Sequence, residues 1–176
     1  MDGSTSDKPL VDGHPSHSKN PTPPKTHSPA VARFLRRALD GDLAAMDERY
    51  AGGERFWVME AAGATATTTA TTIVGCVGLR LQGAAEEEGE GKGEVVRLTV
   101  ADGWQRRGLG RRLLHHAEAY ARERCGVGRL RATTLDEGAL PGACAFYVAE
   151  GYVVEGRGVF GKGEGEGELV HLVRRL

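Results

Sequence analysis

The chain has few of the residues that mark a secreted, metal-binding or membrane protein. It contains only three cysteines, Cys76, Cys125 and Cys144, each inside an apolar run and none in a Cys-x-x-Cys pair. We therefore expect small buried thiols in a reducing compartment, no disulfide and no bound metal. No apolar run approaches the roughly 20 residues that cross a bilayer, and no hydrophobic leader opens the sequence. These absences predict a cytoplasmic protein, with the nucleus as the alternative, and no membrane segment.

Net charge and aromatic content are also low. The 23 basic and 24 acidic residues leave a net charge of −1, and aromatic residues make up 6% of the chain. A nucleic-acid-binding protein needs a basic surface, with aromatic side chains among its arginines on which bases can stack. The arginines here are not interleaved with aromatic residues, so we expect no nucleic-acid partner.

The composition divides the chain into a tail and one domain. Residues 1–29 are rich in Ser, Pro, His, Lys and Asp and have almost no apolar side chains. Such a segment cannot offset the entropy that it would lose on ordering. We therefore predict a disordered N-terminal tail over 1–29, with solvated histidines, and a single domain over 30–176.

Hydrophobic periodicity predicts a mixture of helices and strands in the domain. Two helices come first, over 34–39 and 42–50, and Asp42 can cap the second one. A longer amphipathic helix follows the third strand and stops at Gly126. The predicted strands cover residues 56–61, 73–81, 95–100, 130–135, 152–158 and 169–175. This order implies an α/β or α+β fold, in which helices cover both faces of one sheet.

A glycine-bearing turn precedes the longest helix. The third strand is followed closely by the run Gln105-Arg106-Arg107-Gly108-Leu109-Gly110. Gly108 and Gly110 lack a Cβ, so their backbone can approach a ligand closely. The first amides of a helix are unpaired donors at the positive end of its dipole, and guanidinium groups bind phosphate oxygens in a fork. The turn therefore predicts capture of a diphosphate-bearing ligand.

Two motifs resemble those of the GNAT superfamily of N-acetyltransferases. The turn is similar to the superfamily's Q/R-x-x-G-x-G/A signature, and residues 143–152 resemble its second motif, a helix of the form A-x-x-F-Y-x-x-x-G-F. The resemblance extends over about residues 32–176, and the segment 42–58 further resembles a camello-like subgroup. It implies a mixed, mostly antiparallel sheet with helices on both faces, splayed between the motif strand and the next strand.

The resemblance implies that the chain uses acetyl-coenzyme A (acetyl-CoA) as a co-substrate, without a metal, and transfers its acetyl group directly to an amine. Backbone groups of Leu98, Thr99 and Val100 would contact the pantetheine arm as a neighbouring strand does. The pyrophosphate would be held by the turn and the first helical residues, namely Gln105, Arg106, Arg107, Gly108, Leu109, Gly110 and Arg111. The alternative for the arginine side chains is that they are ordinary charges on the helix surface.

Two residues are candidates for proton transfer. Tyr147 lies in the second motif, where the resemblance places a tyrosine near the coenzyme sulfur, and a phenol can donate a proton to the leaving thiolate. Its alternative role is that of a core aromatic residue. Glu94 is the candidate base that deprotonates the amine, often through water in the resembled enzymes. Its alternative role is that of a solvated residue opening the motif strand.

Several alternatives stay open at this point. The resembled fold normally begins with a strand, and nothing before Val31 is typical of one. A regulatory protein that binds acyl-CoA without turnover is therefore the alternative function. A nucleotide phosphotransferase is disfavoured, because its glycine loop needs Lys and then Ser or Thr, where this chain has Arg111 and Arg112. Small amines, amino-acid conjugates, protein N-termini and lysine side chains all fit as acceptors.

Overall fold

The computed structural model describes residues 33, 36, 40–41, 44–50, 54–62, 71–82, 91–161 and 166–176. The predicted tail over 1–29, the expected first strand near Val31 and the predicted cap at Asp42 lie outside these residues. So do most of the predicted helix over 34–39 and most of the predicted loops over 63–72 and 83–93.

Within the described residues, three helices and six strands follow one another in the predicted order. Their bounds are α1 Met46–Arg49, β1 Arg55–Ala62, β2 Thr71–Gln82, β3 Gly91–Val100, α2 Leu109–Cys125, β4 Val127–Leu135, α3 Ala143–Ala149, β5 Val153–Phe160 and β6 Gly167–Arg175. A short 3-10 turn, Asp102–Trp104, lies between β3 and α2. Each predicted strand is confirmed. The predicted stop of α2 at Gly126 is confirmed as well, because this residue adopts the left-handed φ of 64° that suits a glycine C-cap.

The six strands form one sheet in the order β1-β2-β3-β4-β6-β5. All neighbouring strands are antiparallel except β3 and β4, which run parallel because helix α2 crosses over between them. The mixed, mostly antiparallel sheet expected from the sequence is therefore confirmed.

The two parallel strands at the centre of the sheet separate before they end. Their pairing covers Gly91 to Val95 on β3 and Val127 to Ala132 on β4. Beyond these residues β3 continues to pair with β2, while β4 continues to pair with β6. The sheet therefore opens into a fork, whose apex lies at Val95 and Ala132 and whose two arms are the ends of β3 and β4. This opening is the splay that the resemblance implied.

A β-bulge lies in the arm formed by β3. The register between β2 and β3 shifts there, and Arg97 has a left-handed φ of 57°. A bulge adds one residue to a strand, bends it and changes which face the later side chains point to. Leu98 and Val100 consequently pack against the core, whereas Glu94, before the bulge, lies on the opposite face beside Arg80.

Helices α2 and α3 pack on one face of the sheet and enclose the main core. Apolar side chains of α2, at the helical spacing of the sequence, fill the space between those of the strands. The fully enclosed members of this core are Val77, Leu79, Leu114, Ala117, Ala121, Leu130, Ala132 and Leu172. The other face is contacted by Tyr50 at the end of α1, whose ring centroid lies 5.2 Å from that of Phe56. Helical segments therefore lie on both faces, as predicted.

Three sequence predictions need correction. Strand β3 begins at Gly91, earlier than predicted, so Glu94 lies inside the strand and does not open it. Helix α3 is shorter than the motif over 143–152, since it ends at Ala149 and Tyr152 is buried beyond it. The cysteines are only partly buried, and all three are free thiols.

Candidate active site

The predicted anion-binding turn is open on its outer side. Arg106 and Gly108 both have a left-handed backbone, with φ values of 62° and 77°. A Cβ built on Gly108 would meet no atom within 4 Å, and residues 105–108 are all exposed. Left-handed residues in such a turn aim successive amides into a concavity that suits an anion.

Helix α2 begins at Leu109 without a capping side chain. Its N-cap is Gly108, and its first turn contains no acidic residue. The aligned peptide dipoles of its 17 residues leave partial positive charge at this end. Because the first amides of a helix have no partner within it, the start of α2 is suited to phosphate.

Three elements meet at Gly110, the second residue of α2. A Cβ built on Gly110 would lie 3.8 Å from the Phe146 ring of α3 and 3.8 Å from Val100 at the end of β3. This close packing brings the turn, one arm of the fork and the helix that carries Tyr147 together. We call this region the candidate active site.

The arm formed by Leu98, Thr99 and Val100 is paired on one side only within the described chain. Its neighbour on that side is β2, and the pairing of β3 with β4 has already ended at Val95. A strand edge of this kind can bind an extended ligand by adding it as a further strand. The structure thus places the three residues predicted to contact the pantetheine arm along the inside of the fork.

Two side chains that were predicted to hold pyrophosphate contact residues just before the turn. Gln105 Nε2 donates to the carbonyl oxygen of Val100 at 3.0 Å and to Asp102 Oδ1 at 3.1 Å. The Arg107 guanidinium lies over the Trp104 ring, 5.0 Å from its centroid. Gln105 and Arg107 therefore brace the turn, an arrangement that fits an anion site built mainly from backbone amides.

The Arg111 guanidinium also has a partner within the protein. Its Nε donates to Glu150 Oε1 at 2.6 Å, and His115 Nε2 lies 2.9 Å from Glu150 Oε2. The Glu150 side chain is 6% exposed. Burial by itself raises the pKa of Glu150, but the hydrogen bonds and charges of Arg111 and His115 outweigh burial and lower it. These contacts tie α2 to the end of α3.

Tyr147 lies on the buried side of α3, with 8% of the residue exposed. Its ring packs against those of Phe146 and Tyr152, with centroid distances of 5.3 Å in both cases. Burial raises the pKa of the Tyr147 phenol, so the hydroxyl keeps its proton at neutral pH. The ring therefore belongs to the core, and the role of the hydroxyl as a proton donor stays a prediction.

Glu94 lies at the apex of the fork, on the face opposite the main core. Its direct partner on β2 is Arg80, and the distance from Arg80 Nη1 to Glu94 Oε2 is 3.9 Å. The Glu94 side chain is 20% exposed, so solvent and ligands can reach it. A carboxylate at this position can accept a proton from an amine seated in the fork.

Two polar residues that the sequence analysis did not select stand beside Glu94. Thr133 Oγ1 is 3.4 Å from Glu94 Oε1, and His171 Nδ1 is 3.2 Å from Thr133 Oγ1. Thr133 is the first residue of β4 beyond the apex, and His171 is its direct partner on β6. The one available sequence signal was a single histidine within the otherwise apolar run 169–173.

In the part of the chain that the structure describes, no group of three or more His, Cys, Asp or Glu side chains is placed to hold a metal ion. No helix among those residues has both the length and the apolar character needed to cross a bilayer.

Known proteins share the motifs and the fold of this chain. The profile of the acetyltransferase (GNAT) family matches residues 25–152. The comparison with curated proteins gave no match.

Solved structures of low sequence identity superpose on most of the chain. A ribosomal-protein-alanine N-acetyltransferase from Brucella melitensis is 22% identical, with 78% of each chain covered and a TM-score of 0.59. Arabidopsis thaliana NAA60, solved with a bisubstrate analogue, is 13% identical over 86% of this chain and 97% of its own, with a TM-score of 0.62. A GNAT family acetyltransferase from Elizabethkingia anophelis with acetyl-CoA bound is 17% identical over 93% and 96%, with a TM-score of 0.54. At these identities the likeness is one of fold.

Proposed function

Because the chain belongs to the acetyltransferase (GNAT) family, we propose that it binds acetyl-CoA and transfers the acetyl group directly to an amine. The observation that carries this proposal is the meeting of three elements at Gly110. There an uncapped helix start, the strand arm inside the fork and the helix with Tyr147 lie within contact distance.

Binding of the coenzyme uses mainly the backbone. Amides of the turn and the first residues of α2, from Gln105 to Arg111, hold the pyrophosphate, and Arg106 adds a positive charge at its exposed position. The inner edge of Leu98, Thr99 and Val100 pairs with the pantetheine arm. Binding of acetyl-CoA by the Elizabethkingia relative, which shares the fold, supports this assignment.

Transfer requires a neutral amine, a polarised thioester carbonyl and a proton for the leaving sulfur. The acceptor enters as an ammonium group and loses two protons. Glu94 takes the first, which leaves the neutral amine whose nitrogen forms the new bond to the acetyl carbon. As the carbon–sulfur bond breaks, Tyr147 gives its phenolic proton to the thiolate, and the second proton of the nitrogen restores the Tyr147 hydroxyl. No protein nucleophile is needed, because the fork holds both reactants close together.

Three finer predictions belong to this proposal. The camello-like resemblance and the cytoplasmic location both stay predictions, and so does the absence of a nucleic-acid partner. The slightly acidic balance of the chain supports the last of these. The alternative function, an acyl-CoA-binding regulator, differs from the proposal only in lacking turnover.

A binding measurement and a turnover measurement together test the proposal. A ligand that binds only the folded state raises its stability by about 2.7 kcal/mol at a concentration 100 times Kd. We therefore expect millimolar acetyl-CoA, but not acetate, to raise the Tm of the full chain. Release of free thiol should then require one member of a panel of small amines, amino acids and short peptides.

The possible outcomes separate the two functions. A Tm increase together with amine-dependent thiol release supports the acetyltransferase. A Tm increase without release on any amine favours the regulator, and the absence of both contradicts the assignment of the site.

A further inference from the structure

We propose that the proton taken by Glu94 leaves the fork through the Thr133 hydroxyl and the His171 imidazole. The inference rests on the proposed function, because acetyl transfer to an acceptor that enters as an ammonium group releases one proton, for which an exit is needed. Glu94 is the residue that meets the acceptor, whereas Thr133 and His171 act behind it.

The three side chains form a row across neighbouring strands. Thr133 Oγ1 lies between the other two groups, 3.4 Å from Glu94 Oε1 and 3.2 Å from His171 Nδ1. Because Thr133 begins the part of β4 that β3 does not pair with, the row crosses the sheet at the apex of the fork. Direct pairing of Thr133 with His171 across β4 and β6 fixes the second half of the row.

An acceptor in the fork makes such an exit necessary. The exposed fifth of the Glu94 side chain is the part that an amine must cover in order to give up its proton. Water then loses direct access to the carboxylate. His171 lies on β6, one strand beyond β4, and is only half-buried, so part of this residue meets solvent.

Strand β5 leaves room for the ring of His171. A Cβ built on Gly158 would lie 3.2 Å from His171 Nε2, closer than most real contacts of that kind. Because glycine stands there, the nitrogen farther from Thr133 lies beside open backbone rather than under a side chain. The two ring nitrogens thus face different surroundings, one the Thr133 hydroxyl and the other the edge of the sheet.

The charged groups around the row are largely paired with each other. Arg80 on β2 faces Glu94, Arg131 on β4 is paired with Glu155 on β5, and Arg157 on β5 is paired with Glu168 on β6. Among these acidic groups, Glu94 is the one that the Thr133 hydroxyl links to His171.

The proton moves in steps, and each group that receives a proton passes one on. Protonated Glu94 gives its hydrogen to Thr133 Oγ1, and the original Thr133 hydrogen passes to the unprotonated Nδ1 of a neutral imidazole. The resulting imidazolium loses the hydrogen on Nε2 to water. Exchange through water restores the starting tautomer, so that one proton has moved from the amine to solvent.

Chemical rescue of His171→Ala tests this route in the full-length enzyme with saturating acetyl-CoA. We expect kcat to fall by about tenfold or more, since proton transfer by a positioned side chain contributes at least that much. Added imidazole should restore part of the lost rate in proportion to its concentration. His116→Ala, which removes an exposed histidine on the other face of the sheet, is the matched control. Its kcat should equal that of the wild type and should not rise with added imidazole.

Variants of Thr133 and a second variant of His171 separate proton transfer from packing. Thr133→Ser keeps the hydroxyl and should keep kcat, whereas Thr133→Val keeps the shape and should lose kcat without a change in acetyl-CoA binding. His171→Asn keeps a hydrogen-bonding group at the position of Nδ1 but has no group that titrates near neutral pH. It should be as slow as His171→Ala and should lack one ionisation in its pH–rate profile.

The outcomes also distinguish this route from the proposed function. If the wild-type chain neither binds acetyl-CoA nor acetylates any amine, the proposed function fails. If the wild-type chain is active and His171→Ala is equally fast, or slow without any response to imidazole, the proton route is wrong and the acetyltransferase assignment stands.

Discussion

The turn before α2 and the row of side chains at the apex of the fork differ in the atoms that they present to a ligand. The turn presents backbone amides, set by the left-handed residues Arg106 and Gly108, while several of its side chains are occupied in bracing it. The apex presents side-chain atoms of Glu94, Thr133 and His171. Recognition by backbone amides depends on the backbone conformation and on glycines, which have no Cβ to keep a ligand away. Recognition by side chains depends on chemical identity, and this difference determines what each kind of substitution does.

Removal of the base at the apex should have the largest effect. Glu94→Gln keeps the shape and the hydrogen bond from Thr133 but cannot take a proton. We expect kcat/KM for the amine to fall by about 10²–10⁴-fold, the usual contribution of a positioned base. The Tm increase produced by acetyl-CoA should stay at the wild-type value, because the turn is untouched.

Glu123→Gln is the control for this experiment, since Glu123 is an exposed residue of α2 paired with its neighbour Arg122. Turnover of Glu94→Gln within twofold of the wild type would remove Glu94 from the chemistry.

Loss of the Tyr147 hydroxyl should have a smaller effect on turnover. Tyr147→Phe keeps the ring in the core but has no proton to give, so kcat should fall by roughly 10–100-fold with little change in acetyl-CoA affinity. Tyr120→Phe on α2 is the control, because Tyr120 packs beside Trp57, away from the fork. Equal kcat values for the two variants would leave Tyr147 with its core role alone.

A single added methyl group tests the turn. Gly110→Ala has room within the protein, since the nearest atoms lie 3.8 Å from the new Cβ, and alanine favours a helix by up to about 1 kcal/mol. The Tm should therefore be unchanged or slightly raised. Acetyl-CoA affinity should nevertheless fall by about tenfold, because each factor of ten corresponds to 1.4 kcal/mol of lost contact.

Gly103→Ala is the control, because a Cβ built there meets no atom within 4 Å and Gly103 lies before the run 105–110. If both variants bind acetyl-CoA as the wild type does, close approach of the ligand to Gly110 is not required.

The link between turn and α3 should give the smallest effect. Because Arg111 and His115 lower the pKa of Glu150 below its ordinary value of 4.5, ionised Glu150 stabilises the fold above that value. The stabilisation is lost as the pH falls through the lowered pKa. Glu150→Gln should therefore cost about 1–3 kcal/mol in free energy of unfolding at pH 7 and less at pH 3, which lies below the ordinary value. Urea titrations at both pH values measure this, and a pH-independent difference would contradict it.

Local patterns predicted the elements that carry the site. The helical stripe of α2, the glycine that ends it and the apolar runs of the strands each depend on neighbours in sequence, so they could be located without coordinates. The start of β3 could not, because Gly91, Lys92 and Gly93 look like a continuation of the loop. They form a strand because Gly91 pairs with β4 and the other two residues pair with both β2 and β4, and this tertiary pairing overrides their weak propensity.

Contacts between distant segments were beyond the reach of local patterns. Thr133 and His171 are 38 residues apart and meet only because of the register between β4 and β6. Glu150 and Arg111 are 39 residues apart and meet only where α3 ends beside α2. The left-handed Arg97 and Arg106 could not be anticipated either, because this conformation is unfavourable for residues with a Cβ.

The extra residue at Arg97 reverses the order in which the side chains of β3 alternate between the two faces of the sheet. Glu94 and Val100 are separated by an even number of positions, and on an uninterrupted strand they would share a face. The added residue instead leaves Glu94 on the face opposite the main core and turns Val100 toward α2. One extra residue therefore determines which face of the sheet each half of the strand presents its side chains to. Deleting Arg97 would turn Leu98 and Val100 away from the core and Thr99 toward it.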